Sequence, residues 1–108
     1  MNNPETLIEH RTQVVEALKT VIDPELQVNI VDLGLIYFME MNEDFSAILI
    51  EMTLSSKSCP MGESILSATR NCMERSFKAF KVEVKLVWAP EWNADFISAA
   101  GIRKLRGY

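Results

Sequence analysis

The sequence is poor in the residues that build self-contained sites. It holds two cysteines, Cys59 and Cys72, and one histidine, His10. It has no C-x-x-C pair and no His/Cys cluster, so a closed zinc site within one chain is not expected. No apolar run approaches the roughly 20 residues that a membrane span requires. The first residues, Met1-Asn2-Asn3-Pro4-Glu5, lack the basic and apolar regions of a signal peptide. The expectation is therefore no membrane partner and a cytoplasmic location, where a reducing environment argues against a Cys59–Cys72 disulfide. Cations are outnumbered, with 11 Lys+Arg against 15 Asp+Glu and a net charge of −4, so nucleic-acid binding has no general electrostatic support. The one basic cluster, Arg103-Lys104-Leu105-Arg106, falls at the end of the last helical segment, where cations complement the helix dipole. Glycine and proline are sparse, at four each. Gly34 stands alone rather than in a phosphate loop. Without repeats, linkers or low-complexity stretches, residues 1–108 read as one domain.

What is present is a regular alternation of helical and strand patterns. Leu7, Val14, Val15, Leu18 and Ile22 share one face at helical spacing. Thr6 with Glu9 has the form of a capping box, and Asn3-Pro4 offers a start one turn earlier. Asp23-Pro24-Glu25 should end this helix, since the residue before proline avoids the helical region. After a loop anchored by Val28, Ile30 and Leu33, Leu35–Met41 is a strand candidate, Asn42-Glu43-Asp44 a turn, and Ser46–Thr53 a second, antiparallel strand. Met61, Ile65, Ala68 and Cys72 mark a helix to about Phe77. Val82, Val84, Leu86 and Trp88 alternate with Lys81, Glu83 and Lys85, giving a strand with one buried face that places Trp88 in the core. Asn93 should cap a final helix through Phe96, Ile97 and Ala100, with a break at Gly101. The expected fold class is α+β: a two-layer sandwich in the order α-β-β-α-β-α, with a small mixed sheet and helices on one face.

The stretch Thr53-Leu54-Ser55-Ser56-Lys57-Ser58-Cys59-Pro60-Met61-Gly62 carries the chemistry. Proline is favoured at the first helical position, which makes Cys59 the expected N-cap and Pro60 the first helical residue. Unpaired N–H groups and the positive dipole end would bias that thiol toward thiolate, the form that binds metals and attacks electrophiles. Its bland alternative is a small apolar residue ending a loop. Cys72 continues the core stripe of the same helix and reads as packing. The thirteen intervening residues rise roughly 20 Å as helix, too far for the two sulfurs to share a metal or a disulfide. His10, flanked by Glu9 and Arg11, belongs to the polar side of its helix, which disfavours a Cys–His enzyme. Asp23, Glu25 and Asp32 lie among turn residues, where Asp commonly bonds backbone. Trp92 is the tryptophan expected at a contact surface.

Three blocks together resemble the SufT/PaaD-like iron–sulfur cluster assembly family. They are Asp23-Pro24-Glu25-Leu26 with Asn29–Tyr37, then Met52-Thr53-Leu54-Ser55 leading to Cys59-Pro60-Met61, then Val87-Trp88-Ala89-Pro90-Glu91-Trp92. Order and spacing agree from about residue 12 to 106. Ser55 replaces a second threonine of the family pattern and keeps its hydroxyl. The resemblance implies an α+β maturation factor, not an enzyme, with Cys59 as its key residue; the expectation drawn from it is that Cys59 ligates iron or a transient iron–sulfur cluster. Asp32, Thr53, Ser55, Pro60 and Trp92 are expected to form the supporting loop or partner surface. It also implies a cluster scaffold and apo-protein clients as partners. A cluster normally takes four protein ligands, mostly thiolates, so one with a single suitable thiol from this chain would be shared, with a homodimer partner or another protein. Two alternatives stand beside the carrier: an adaptor that joins scaffold and client without holding a cluster, and a thiol redox protein.

Overall fold

The computed structural model describes residues 4–42, 46–57 and 60–107. Asn3, residues 43–45 of the expected turn, and Cys59 lie outside the described residues. Helix α1 (Pro4–Leu18) begins on its proline, so Thr6 lies inside it and the earlier of the two possible starts is used. Val14 and Leu18 are fully buried. The helix stops at Leu18 rather than at Asp23. Thr20 Oγ1 donates to the Ala17 carbonyl at 2.6 Å and the Val21 N–H to the Leu18 carbonyl at 3.1 Å, taking up carbonyls that a continuing helix would have used. The chain then doubles back. Asp23 N–H donates to Val28 and Ile30 N–H to Val21, with an isolated bridge between Ile22 and Asn29. Ile22, expected on the buried helical stripe, is therefore exposed at 48%.

Strands β1 (Ile36–Met41), β2 (Ala47–Met52) and β3 (Lys81–Leu86) form one sheet in the order β1-β2-β3. β1 and β2 are antiparallel, with Met41 opposite Ile48 and Phe38 opposite Glu51, and a bulge between Ile36 and Phe38. β2 and β3 are parallel, with Ile50 opposite Val84. A parallel pair needs a crossover, and helix α2 (Gly62–Ser76) supplies it. This is the expected α+β architecture, order and mixed sheet. Ile48, Ile50 and Met52 are fully or almost fully buried, as period-two alternation requires for one covered face. α2 packs on β3, and α1 on α2. Ile65, Thr69, Cys72 and Met73 from α2 complete the core with Val28, Ile30, Leu33 and Leu35 from the loop before β1.

Two further boundaries differ from those expected. α2 starts at Gly62, with Met61 at the N-cap making no side-chain cap bond. Pro60 stands before it as an exposed turn residue, so the N-cap place expected for Cys59 is held by Met61. Packing sets this start: a Cβ on Gly62 would meet Leu54 Cδ1 at 2.7 Å, and Ile65 N–H reaches the Met61 carbonyl at 3.0 Å. The final helix is split. Asn93 caps a single 3-10 turn, Ala94–Phe96. Ile97 is extended, and Ser98 caps a second helix, α3 (Ala99–Leu105), through Gly101 N–H. Gly101 does not break that helix. It is buried, and the close packing leaves no room for a side chain: a Cβ there would meet Ile97 Cγ2 at 2.7 Å and the Asp32 carbonyl at 3.0 Å.

Candidate functional site

Parallel pairing brings the chain out of β2 and β3 at the same end of the sheet. The β2 exit carries Thr53 to Lys57, and the β3 exit carries Val87 to Trp92. Val87 N–H still donates to the Met52 carbonyl at 2.8 Å, so the two exits start side by side. Between them lies a cleft of about 420 Å³ lined by Leu54, Ser55, Lys57, Trp88, Glu91 and Trp92. Among the described residues it holds one cation, Lys57, and one carboxylate, Glu91. Lys57 Nζ sits 5.6 Å from the centre of the Trp88 ring, within cation–π range.

Trp88 departs from the core place expected of it, while Trp92 lines the cleft and is also anchored beneath it. Trp88 is 36% exposed because β3 ends at Leu86 and the alternation that would have turned it inward ends there. Trp92 is half-buried and packs against the core. Its indole N–H donates to the Leu33 carbonyl at 2.7 Å, which ties the β3 exit to the loop before β1. Replacing Trp92 with Phe should cost about 1–2 kcal/mol in urea unfolding, because that carbonyl loses its donor. Trp88→Phe should stay within about 0.5 kcal/mol of the parent, as an exposed position does.

Asp32 serves the same frame from below. Its carboxylate accepts from Asn29 Nδ2 at 2.7 Å and from Ser98 Oγ at 2.8 Å. Its backbone N–H donates to Asn29 Oδ1, and its carbonyl accepts from Ser98 N–H at 2.7 Å. Hydrogen bonds from Ser98 and then Asn29 hold its carboxyl below the usual carboxylate range, outweighing the effect of burial. Asp32 thus docks the start of α3, while its neighbour Leu33 receives Trp92. It does not line the cleft. Asp23 is buried and accepts from the N–H groups of Glu25 and Leu26 at 2.8 and 3.1 Å, the local turn expected of it. Thr53 is fully buried at the end of β2, with its N–H on the Leu35 carbonyl at 2.8 Å. Ser55 lines the cleft. The sequence does not mark Ser98 as Asp32's partner. Its place before Ala99-Ala100 is an N-cap signal, but nothing in the sequence pairs it with a residue 66 positions away.

Cys72 is 5% exposed. Its Sγ donates to the Ala17 carbonyl at 3.2 Å, joining α2 to α1 as a packing residue. Among the described residues no group of three His, Cys, Asp or Glu side chains could hold a metal ion, and no helix is long and apolar enough to cross a membrane.

Residues 11–86 match the family model described as iron–sulfur cluster assembly protein. The chain is 37% identical over 106 residues to an Fe-S protein maturation auxiliary factor of Porphyromonas gingivalis, covering 97% of each chain. It is 38% identical over 88 residues to the Fe-S protein maturation auxiliary factor YitW of Bacillus subtilis, covering 82% of this chain and 85% of that one. Among solved structures, a domain of unknown function from Bacillus anthracis superposes with a TM-score of 0.85 at 31% identity, covering 94% of this chain and 95% of the other.

Proposed function

The chain belongs to the iron–sulfur cluster assembly protein family and acts in iron–sulfur protein maturation, and we propose that it does so by engaging iron or a cluster transiently through Cys59, as cargo in transit to an apo-protein. The observation that carries this reading is the fate of the other sulfur. Cys72 is sealed between α1 and α2 with its Sγ committed to a backbone carbonyl, which leaves Cys59 as the chain's one candidate thiolate. One thiolate cannot satisfy a cluster that takes four ligands, so the remaining ligands come from a scaffold, a client or a second copy. A shared site of that kind exchanges its cargo readily. Lys57, two positions before Cys59 in sequence, adds positive charge that favours thiolate. A thiol redox cycle would need a resolving cysteine, and Cys72 is buried away from solvent.

Anaerobic reconstitution with ferrous iron and sulfide tests the ligand role. Cys59→Ser should retain only background iron and sulfide while keeping the parent's circular dichroism spectrum. Equal retention by both proteins overturns it. The exposure of Trp88 beside the cleft favours a second reading, an adaptor that docks scaffold and client on this rim. It predicts that Cys59→Ser still captures both partners, whereas Trp88→Ala does not.

A further inference from the structure

A second pocket, of about 660 Å³, lies where β1 begins, with Glu51 of β2 and the β3 exit among its walls. Glu51 alternates with the buried Ile50 and Met52, so it stands on the face of the sheet away from the core. Val87, Ala89 and Pro90 line this pocket, whereas Trp88, Glu91 and Trp92 line the cleft. One segment of chain is thus a wall of both. Three aromatic residues, Tyr37, Phe38 and Phe96, line the pocket, and Phe38 and Phe96 are 43% and 37% exposed. Tyr37 is the extra residue of the β1 bulge, a device that re-aims a side chain, and its ring meets Phe96 edge-on. The polar groups here share one character. Glu51 is the only charged residue among the described residues that line the pocket, and its carboxylate only accepts. The Tyr37 hydroxyl has committed its proton to the Pro90 carbonyl at 2.8 Å, so it too can only accept. The N–H groups of Gly34, Val87 and Phe96 are spent on the carbonyls of Val31, Met52 and Asn93, and Pro90 has none.

We propose that this pocket takes an arginine side chain of a partner polypeptide, its guanidinium donating to Glu51 beside the three aromatic residues and its methylene stem lying along Ile36 and Val87. Charge and hydrogen-bonding capacity select this occupant. An anion would meet a carboxylate and no side-chain donor. A purely apolar group would cover Glu51 without pairing it, and a covered, unpaired charge is costly. A cation satisfies Glu51, and aromatic rings attract it further. Guanidinium suits the site better than ammonium because it is planar, stacks on rings, is weakly hydrated and forks onto a carboxylate. The same lining separates a residue within a chain from free arginine. The free amino acid brings an α-carboxylate, and among the described residues no lysine, arginine or histidine lines the pocket to receive it. Lys85 stands opposite Glu51 in the β2–β3 register and is exposed. It lies outside the lining, where its charge opposes a guanidinium. A partner anchored here lies alongside the cleft, because the two share the wall from Val87 to Trp92. The binding itself does not depend on the role proposed for Cys59.

Titration of blocked arginine (N-acetyl-arginine amide) into the nitrogen-15-labelled chain, followed by NMR, tests it. The backbone amides of Gly34, Phe38 and Glu51 should shift along saturable curves with a millimolar dissociation constant. Blocked citrulline has the same shape without the charge and should bind about tenfold more weakly. Free arginine should bind no more tightly than the blocked form. Glu51→Gln should weaken the binding of blocked arginine about tenfold and bring it level with citrulline. Lys85→Gln should tighten it about twofold by removing a like charge. Absence of saturable shifts at those amides overturns the proposal. So does equal binding of blocked arginine and blocked citrulline to the parent, or undiminished binding by Glu51→Gln. Tighter binding of free than of blocked arginine overturns the polypeptide source. Because Glu51 and Lys85 face away from the core, both variants keep the fold, and matching circular dichroism spectra check this.

Discussion

Replacing Gly34 with alanine should destabilise the protein by about 3 kcal/mol or more in urea unfolding, among the largest effects of any one-atom addition here. Gly34 has φ +78°, a conformation that costs an L side chain roughly 1 kcal/mol on its own. The larger part is steric. A Cβ would run into the Phe96 carbonyl oxygen and lie 2.7 Å from the Phe96 Cβ. Those atoms cannot move freely. Phe96 packs edge-on against Tyr37 with ring centres 6.0 Å apart, and the Tyr37 hydroxyl donates to the Pro90 carbonyl at 2.8 Å. Gly107 separates the two contributions. It has φ +83° with nothing within 4 Å of its added Cβ, so Gly107→Ala should cost about 1 kcal/mol or less. Comparable losses at Gly34 and Gly107 would show that the close approach of Phe96 contributes nothing. Because Gly34 lies beside Leu33, which holds Trp92, the Gly34 variant should also loosen the cleft and show altered tryptophan fluorescence before global unfolding.

The second large effect concerns Asp32. Asp32→Ala should lower stability by about 2–3 kcal/mol at pH 7, since charged hydrogen bonds of this kind contribute roughly 1.5–3 kcal/mol and this carboxylate accepts two. The loss depends on pH in a defined direction. The folded carboxyl titrates below the roughly 3.9 of an unfolded aspartate, so the folded state holds the ionised form more strongly. That stabilisation is complete above about pH 4 to 5 and fades as pH falls through the folded value. The gap between parent and Asp32→Ala should therefore narrow on going from pH 7 to pH 3. A gap of constant size would assign the effect to packing alone. Asp32→Asn should fall between the two, because its amide oxygen can still accept from Ser98 while its NH2 faces that of Asn29.

Both residues fall within the sequence blocks that carry the family resemblance, but the reasons for their importance could not be read there. A glycine with positive φ is invisible until Phe96 is known to approach it. Asp32 reads as a turn residue until Ser98 is folded against it. Local signals fared better. Alternation in Ile48, Ile50 and Met52, and helical spacing in Ile65 and Cys72, gave the elements and their buried faces, because burial on one face is written into neighbouring positions. The errors came where tertiary contacts overrode a local rule. Pro60 has the right chemistry to open a helix, yet the first turn is set by Gly62 against Leu54. Trp88 continues an alternation whose strand has already ended. Asn93 is a sound cap, but the turn it starts is stopped by the extended Ile97, and Ser98 has to start again.

The parallel pairing of β2 with β3 also bears on when the cleft comes into being. The β1–β2 hairpin closes over a short loop and can form early, whereas β3 joins only after the chain from Met52 to Lys81, α2 included, has been laid down. Closing a loop of that length is entropically slower and adds to contact order. Both walls of the cleft hang from this last junction, and Trp92 reaches Leu33 only once it is made. A ribosome-bound or partly unfolded chain has the residues of both walls but not the cleft between them, which arrives only with completion of the fold.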